Sequence, residues 1–220
     1  GAVHVVAGDA AGRKLLVDMP GMGIALVGGV ELQAIDVPGR LPLADFEAAT
    51  ATWILPEEAA APLRAQSIAL GRTALALEML GAAEACVALA IEYSGQRWQF
   101  GQPIGSFQAV RHLLAWARTD CVAIDNVARS AVSMGAAMPE RFDAALKALA
   151  GRNGRKACER ALQVFGGIGF TAEHEHHPFH GRVLTLDALL GTSSELTAGL
   201  GRWLRTDRRD PQWAAAIRNS

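Results

Sequence analysis

The sequence predicts a mainly α protein with a β segment in front: partial β structure over residues 1–55, then an antiparallel helical bundle over residues 56–220. Three observations predict it. Up to about residue 55 the chain runs in short β-branched pieces broken by turn signals. From Pro56 onward apolar residues recur at helical spacing. Near the end, Thr192 and Glu195 form a T-x-x-E capping box just ahead of Leu196, Leu200, Trp203 and Leu204.

The strand-like runs are "HVVAG", "RKLLVDM" and "GIALVGGVELQAI", separated by "GDAAG" and "PGMG". A few strands with an open edge do not make a complete domain, so this half reads as the remnant of a larger sheet. Pro56, Glu57 and Glu58 then suit a helix start, with proline at the first helical position and acids at the positive end of the dipole. That helix is expected to run to about Arg97, with Leu70, Leu77, Leu80, Val87 and Ile91 on its buried face. A second helix fits Gln108 to about Met134, with Val110, Leu114, Ala117, Cys121 and Ile124 facing one way. A third fits Pro139 to Phe165, weakened by Gly151 and Gly154. A short one is expected over Arg182–Leu190, stopped by Gly191.

The 220 residues are enough for a substantial core, and a formal net charge of −1 gives no footprint for nucleic acid or anionic lipid. The basic set Arg152, Arg155, Lys156 and Arg160 reads as a solvated or subunit-facing stripe. No apolar run is expected to span a bilayer. Cys86, Cys121 and Cys158 are widely spaced with no C-x-x-C, which suits reduced thiols and a cytoplasmic protein. The chain opens at Gly1 in a strand-like run, so further material upstream is expected.

Two stretches could carry chemistry. "QVFGGIGFTAEHEHHPFH", residues 163–180, offers His174, His176, His177 and His180 as metal ligands, but Pro178 breaks H-E-x-x-H and no cysteine lies nearby in sequence. Its glycines offer instead a backbone cradle for an anion, or a plain helix stop. The second stretch, "YSGQRWQFGQPIGSFQAVRH", ends one helix near Arg97, turns through Phe100-Gly101-Gln102-Pro103, and starts another near Ser106. There Arg97 can pair with a phosphate, Phe100 can cover a flat ring, and the helix N-terminus favours an anion.

The run "RWQFGQPIGSFQAVRH" followed by "ALQVFGGIGFTAEH" resembles the C-terminal half of the acyl-CoA dehydrogenase family, over about Arg72 to Arg205. The strand-like opening resembles the tail of that family's middle β-domain. The resemblance implies FAD as cofactor, an acyl-CoA substrate, an electron-transfer acceptor and assembly as a dimer or tetramer. It implies flavin contacts at Arg97, Gln99, Phe100, Phe107 and Gln108. Gln163, Val164, Phe165, Gly166 and Gly167 would cradle the adenine and diphosphate end, which favours phosphate over metal. Both segments would reach the flavin site of the neighbouring subunit. Thr192 and Ser193 would also touch FAD, and Arg72 would lie near the thioester. Each has a plainer reading as a cap, core or surface residue.

The family reaction removes an α-proton with a carboxylate while the β-hydrogen leaves as hydride. The resemblance puts that carboxylate either just before "GTS", where this chain has Leu190, or just before the arginine matching Arg72, where it has Gly71. Asp187 and Glu78 are weaker substitutes, and Glu195 is committed to the capping box, so the catalytic residue stays unassigned. The expected function is therefore that of an FAD-binding acyl-CoA dehydrogenase-like subunit in fatty acid or steroid degradation. A partner subunit would supply the base in a hetero-oligomer. The alternative is a non-catalytic assembly subunit that binds no flavin.

Overall fold

The computed structural model describes residues 2–4, 15–27, 31–33, 43–45, 51–171, 173–207 and 213. Parts of the three strand-like runs (residues 5–8, 13–14, 28–30 and 34–35) lie outside them. The fold is mostly helical with small antiparallel sheets. The chain forms two compact units, Gly1–Ile68 and Ala69–Ser220.

In the first unit, β1 (Ala2–His4), β5 (Leu43–Asp45) and β4 (Glu31–Gln33) form one sheet in the order β1-β5-β4. A second sheet has the order β2-β3-β6, from Leu15–Met19, Gly23–Val27 and Ala51–Pro56. β3 alternates buried and half-buried residues, the period-two pattern of a strand covered on one face. Gly23 must be glycine: its φ is +119°, and a Cβ there would collide with the Leu55 carbonyl of β6. Pro56 closes β6 and the long helix α1 (Glu57–Gln96) begins one residue later, so proline precedes the first helical position instead of filling it. Arg64 of α1 forks onto Asp18 of β2 at 2.5 and 2.8 Å and onto Glu57 at 2.7 and 2.8 Å.

The second unit centres on α3 (Phe142–Phe165), which packs against α2 (Gln108–Met134), α4 (His176–Ala188) and α5 (Ser193–Asp207). Within this unit α1 lies close to α3 because the residues between them are small. A Cβ on Gly154 would sit 3.8 Å from the Met79 carbonyl and 3.9 Å from the Ala83 Cβ. The buried stripe of α1 is accordingly Ala76, Met79, Leu80, Ala83, Cys86, Val87 and Ala90. The stripe expected from the large aliphatics is correct at Leu80 and Val87 only. Leu70, Leu77 and Ile91 are exposed, at 62%, 41% and 50%, since alanine and cysteine do the packing here. By length and composition α1 does pass as a possible membrane span, against expectation, although half of its most apolar window is buried.

In the expected α2 stripe Ala117, Cys121 and Ile124 are fully buried, while Val110 and Leu114 are half-buried. α3 starts at Phe142 and not at Pro139, because Arg141 takes a left-handed φ of +60° ahead of it. α4 starts six residues earlier than expected. Pro178 sits in its first turn, where no intrahelical N–H bond is lost. It ends at Ala188, and the chain leaves through Leu190 at φ +53° and Gly191 at φ +98°.

Candidate functional site

The residues singled out in the sequence collect in two places. The first is the end of the bundle where α1 stops. There Trp98–Gln99 (β7) pairs with Gln102–Pro103 (β8) around a two-residue turn, Phe100 at φ +52° and Gly101 at φ +80°, the left-handed pair a tight hairpin needs. The turn lifts Phe100 into solvent, 92% exposed, with its ring edge-on to Phe107 at 6.1 Å. Phe107 caps α2 through its backbone, and a short 3-10 turn over Ile104–Ser106 delays the helix start to Gln108. Arg97, Gln99 and Gln108 are all exposed.

The glycine run lies at the same end. Val164 and Phe165 are buried at the close of α3 while Gln163 points outward. Gly166 ends the helix at φ +65° and its N–H donates to the Leu162 carbonyl, the glycine helix stop, and Gly166–Phe170 form a 3-10 turn. Nothing stands within 4 Å of where Cβ atoms would sit on Gly166 and Gly167, so that face is open to a ligand. Phe165 ties the two stretches together: its ring meets Tyr93 at 5.4 Å, one turn before Arg97. A cavity of about 300 Å³ opens between them, lined by Leu89, Tyr93, Gln96, Phe165 and His174.

The histidines do not converge. His174 lies against Phe165 at 4.4 Å, His176 is buried, and His177 is exposed. His180 sits 5.2 Å from His176, with its pKa lowered by burial and by that neighbour. Among the described residues no three His, Cys, Asp or Glu side chains gather as a metal-binding group.

The second place is the turn between α4 and α5, which carries Leu190, Thr192 and Ser193. The capping box forms as read: Thr192 Oγ1 accepts the Glu195 N–H at 3.2 Å, and Glu195 Oε2 accepts the Thr192 N–H at 2.9 Å. Those hydrogen bonds from the Thr192 backbone and hydroxyl hold the Glu195 carboxyl below its usual range. Two cations grip the turn's carbonyls. Arg72 Nε donates to Leu190 O at 3.0 Å while its Nη1 meets Asp143 Oδ2 at 2.9 Å. Lys147, fully buried, donates to Asp187 O at 3.1 Å and Gly191 O at 3.2 Å, and burial lowers its pKa. Asp187 accepts the Ser193 N–H at 3.0 Å and the Ser193 hydroxyl at 3.1 Å. It is therefore a cap for α5, neither a surface acid nor a spare base. Gly151 leaves room for it, since a Cβ there would strike its carboxylate.

Sequence reading missed Asp143, Lys147 and Gly151. The available signal was a lysine on the alanine face of α3, among Ala144, Ala148 and Ala150, where a charge needs partners. The structure thus brings Arg72, Thr192 and Ser193 together at one end of α3. Arg97, Phe100, Phe107 and the glycine run gather at the other. At roughly 1.5 Å per residue, the Lys147 and Phe165 ends of α3 are about 27 Å apart.

The profile of the acyl-CoA dehydrogenase C-terminal domain matches residues 63–204, so the chain belongs to the acyl-CoA dehydrogenase family. It is 39% identical over 142 residues to acyl-CoA dehydrogenase FadE34 of Mycobacterium tuberculosis, covering 62% of this chain and 19% of that protein. It is 37% identical over 123 residues to acyl-CoA dehydrogenase IpdE2 of the same organism, covering 56% and 37%. Among solved structures it resembles the Tcur3481–Tcur3483 steroid ACAD, with a TM-score of 0.75, 24% identity, and 84% and 52% of the two chains covered. The chain spans well under half the length of these curated relatives and about half of the solved chain.

Proposed function

We propose that the chain is the flavin-binding C-terminal part of an acyl-CoA dehydrogenase subunit, acting on a CoA thioester with a base supplied by a partner subunit. The observation that carries the reading is the state of the carboxylates around the vacant base positions. Asp143 is bound to Arg72, Asp187 caps Ser193, Glu195 closes the capping box and Glu78 meets Arg182 at 2.6 Å. Each is committed to a structural bond, and Leu190 itself fills the space beside Gly71.

The residues present fit FAD. The open glycine face at Gly166 and Gly167, exposed Gln163, Arg97 and Gln108, and the raised Phe100 offer amides, a guanidinium and a ring to a dinucleotide. Val164 and Phe165 would support that face from beneath. Gln99 and Phe107 would flank the ring, and Thr192 and Ser193 would contact the flavin from the other group. When bound, FAD supplies the acceptor for the hydride leaving the β-carbon. Arg72 holds the Leu190 carbonyl, and so orients the turn beside the acyl site. The separation of the two groups along α3 supports a flavin shared between subunits. The electron acceptor would be a second protein, and three free cysteines favour the cytoplasm. The likeness to the Tcur3481–Tcur3483 steroid ACAD makes steroid CoA thioesters the first substrate class to test.

The test is the visible spectrum of the protein purified together with its partner, with intact masses. Flavin at a near-stoichiometric ratio, lost in Arg97→Ala, supports the reading. A well-formed complex without flavin overturns it in favour of a non-catalytic assembly subunit.

A further inference from the structure

Where α1 and α3 lie closest, two thiols meet. Cys158 Sγ is 3.5 Å from Cys86 Sγ, and both residues are fully buried and unbridged. The approach follows from the small-residue seam: Ala83 and Ala90 flank Cys86 by one turn, and Gly154 and Ala161 flank Cys158. His176, at the start of α4, closes the group. It is 1% exposed and neither ring nitrogen completes a hydrogen bond, an unusual state for a buried imidazole. Nothing in the proposed dehydrogenase chemistry uses these three residues.

We propose that Cys86 and Cys158 are a peroxide-responsive thiol pair, closing into an inter-helix disulfide with His176 as the proton acceptor for Cys86. His176 takes the Cys86 proton, and the thiolate attacks one oxygen of hydrogen peroxide. The S–O bond forms as the O–O bond breaks, and hydroxide leaves as water with the proton from His176. Cys158 sulfur then attacks the sulfenic sulfur; the S–S bond forms, the S–O bond breaks, and the hydroxyl leaves as water with the Cys158 proton. Two thiols are oxidised and one peroxide is reduced to two waters.

The local electrostatics agree with these roles. The hydrogen bond donated by Cys158, with His176 beside it, holds the Cys86 thiol below the ordinary thiol range despite its burial. Cys158 is pushed far up by the same neighbour and by burial, as suits a donor that stays protonated until the second step. Both thiols are fully buried, so hydrogen peroxide, little larger than water, reaches them through local opening of the helices. The cavity lined by Leu89, Tyr93, Phe165 and His174 is the nearest opening: the Phe165 ring in its wall also meets His176 at 5.4 Å. Cys121 is a built-in control, equally buried but with its thiol pushed up to about 11, chiefly by burial.

The experiment treats the purified protein with hydrogen peroxide, denatures it in an alkylating reagent and maps the peptides by mass spectrometry. The expected product is a dithiothreitol-reversible link between Cys86 and Cys158 within one chain, with Cys121 alkylated. Cys158→Ala, which keeps a small residue in the seam, should leave a Cys86 sulfenic acid that dimedone captures. His176→Gln should slow closure at least ~10-fold at neutral pH by removing the proton acceptor for Cys86. Free Cys86 and Cys158 after peroxide, a link through Cys121, or a link only between chains would each overturn the proposal. The mapping of the unsubstituted protein decides this without any variant.

Discussion

Leu190 Cδ1 lies 2.6 Å from where a Cβ on Gly71 would stand, so the two positions at which the family resemblance seeks a base share one small space. One is empty of side chain because the other fills it. Gly71→Ala should lose part of the ~1 kcal/mol that alanine gains over glycine inside a helix, because the exposed end of Leu190 must give way. Leu190→Ala removes the obstructing atom, so the double substitution should recover part of that loss. A double-mutant cycle by urea unfolding should give coupling of at least ~0.5 kcal/mol; strict additivity would mean the two residues do not touch.

Lys147 should make stability depend on alkaline pH. Its folded pKa lies below the ordinary 10.5, so between the two values the unfolded chain binds more protons than the folded one. Stability from this group therefore rises as pH climbs through that window. In Lys147→Met the rise should disappear, and urea midpoints measured from neutral pH to about 10.5 would reveal it.

At the other end of the scale, Glu195 should give an acid-side dependence. Its folded pKa is depressed, so its contribution is present above the ordinary carboxylate pKa and lost as pH falls through the folded value. Glu195→Gln should flatten the melting profile below about pH 4.5. Thr192→Ala should cost about 1 kcal/mol at neutral pH as a lost cap.

Phe100 holds a left-handed backbone while exposing nearly its whole ring. Phe100→Gly should raise stability by ~0.5–1 kcal/mol by relieving that conformation. Under the proposed function the same change should weaken flavin retention. Thermal melting of the flavin-free protein and a flavin titration would separate the two effects.

Much of the second unit was legible because its signals are local. The T-x-x-E box, the Phe100-Gly101 turn and the Cys121 stripe of α2 each follow from a few neighbouring residues. The α1 stripe was misread because bulky aliphatics draw the eye, while contact with α3 selects small residues such as Ala83 and Cys86. The start of α4 was missed because Pro178 and four histidines suggest a loop, although a first helical turn tolerates both. Asp187 could not be assigned from sequence. Its role depends on Lys147 and Gly151, both more than thirty residues away and meeting it only after the helices pack.

The placement of the two residue groups at opposite ends of α3 has a consequence for handling the protein. If one cofactor draws on both groups, no isolated copy can surround it, and retention becomes a matter of mass action between copies. Yellow colour would then fade on dilution and return on concentration, and a gel-filtration run could strip the flavin without unfolding anything. Purity on a column and loss of cofactor would arrive in the same fraction.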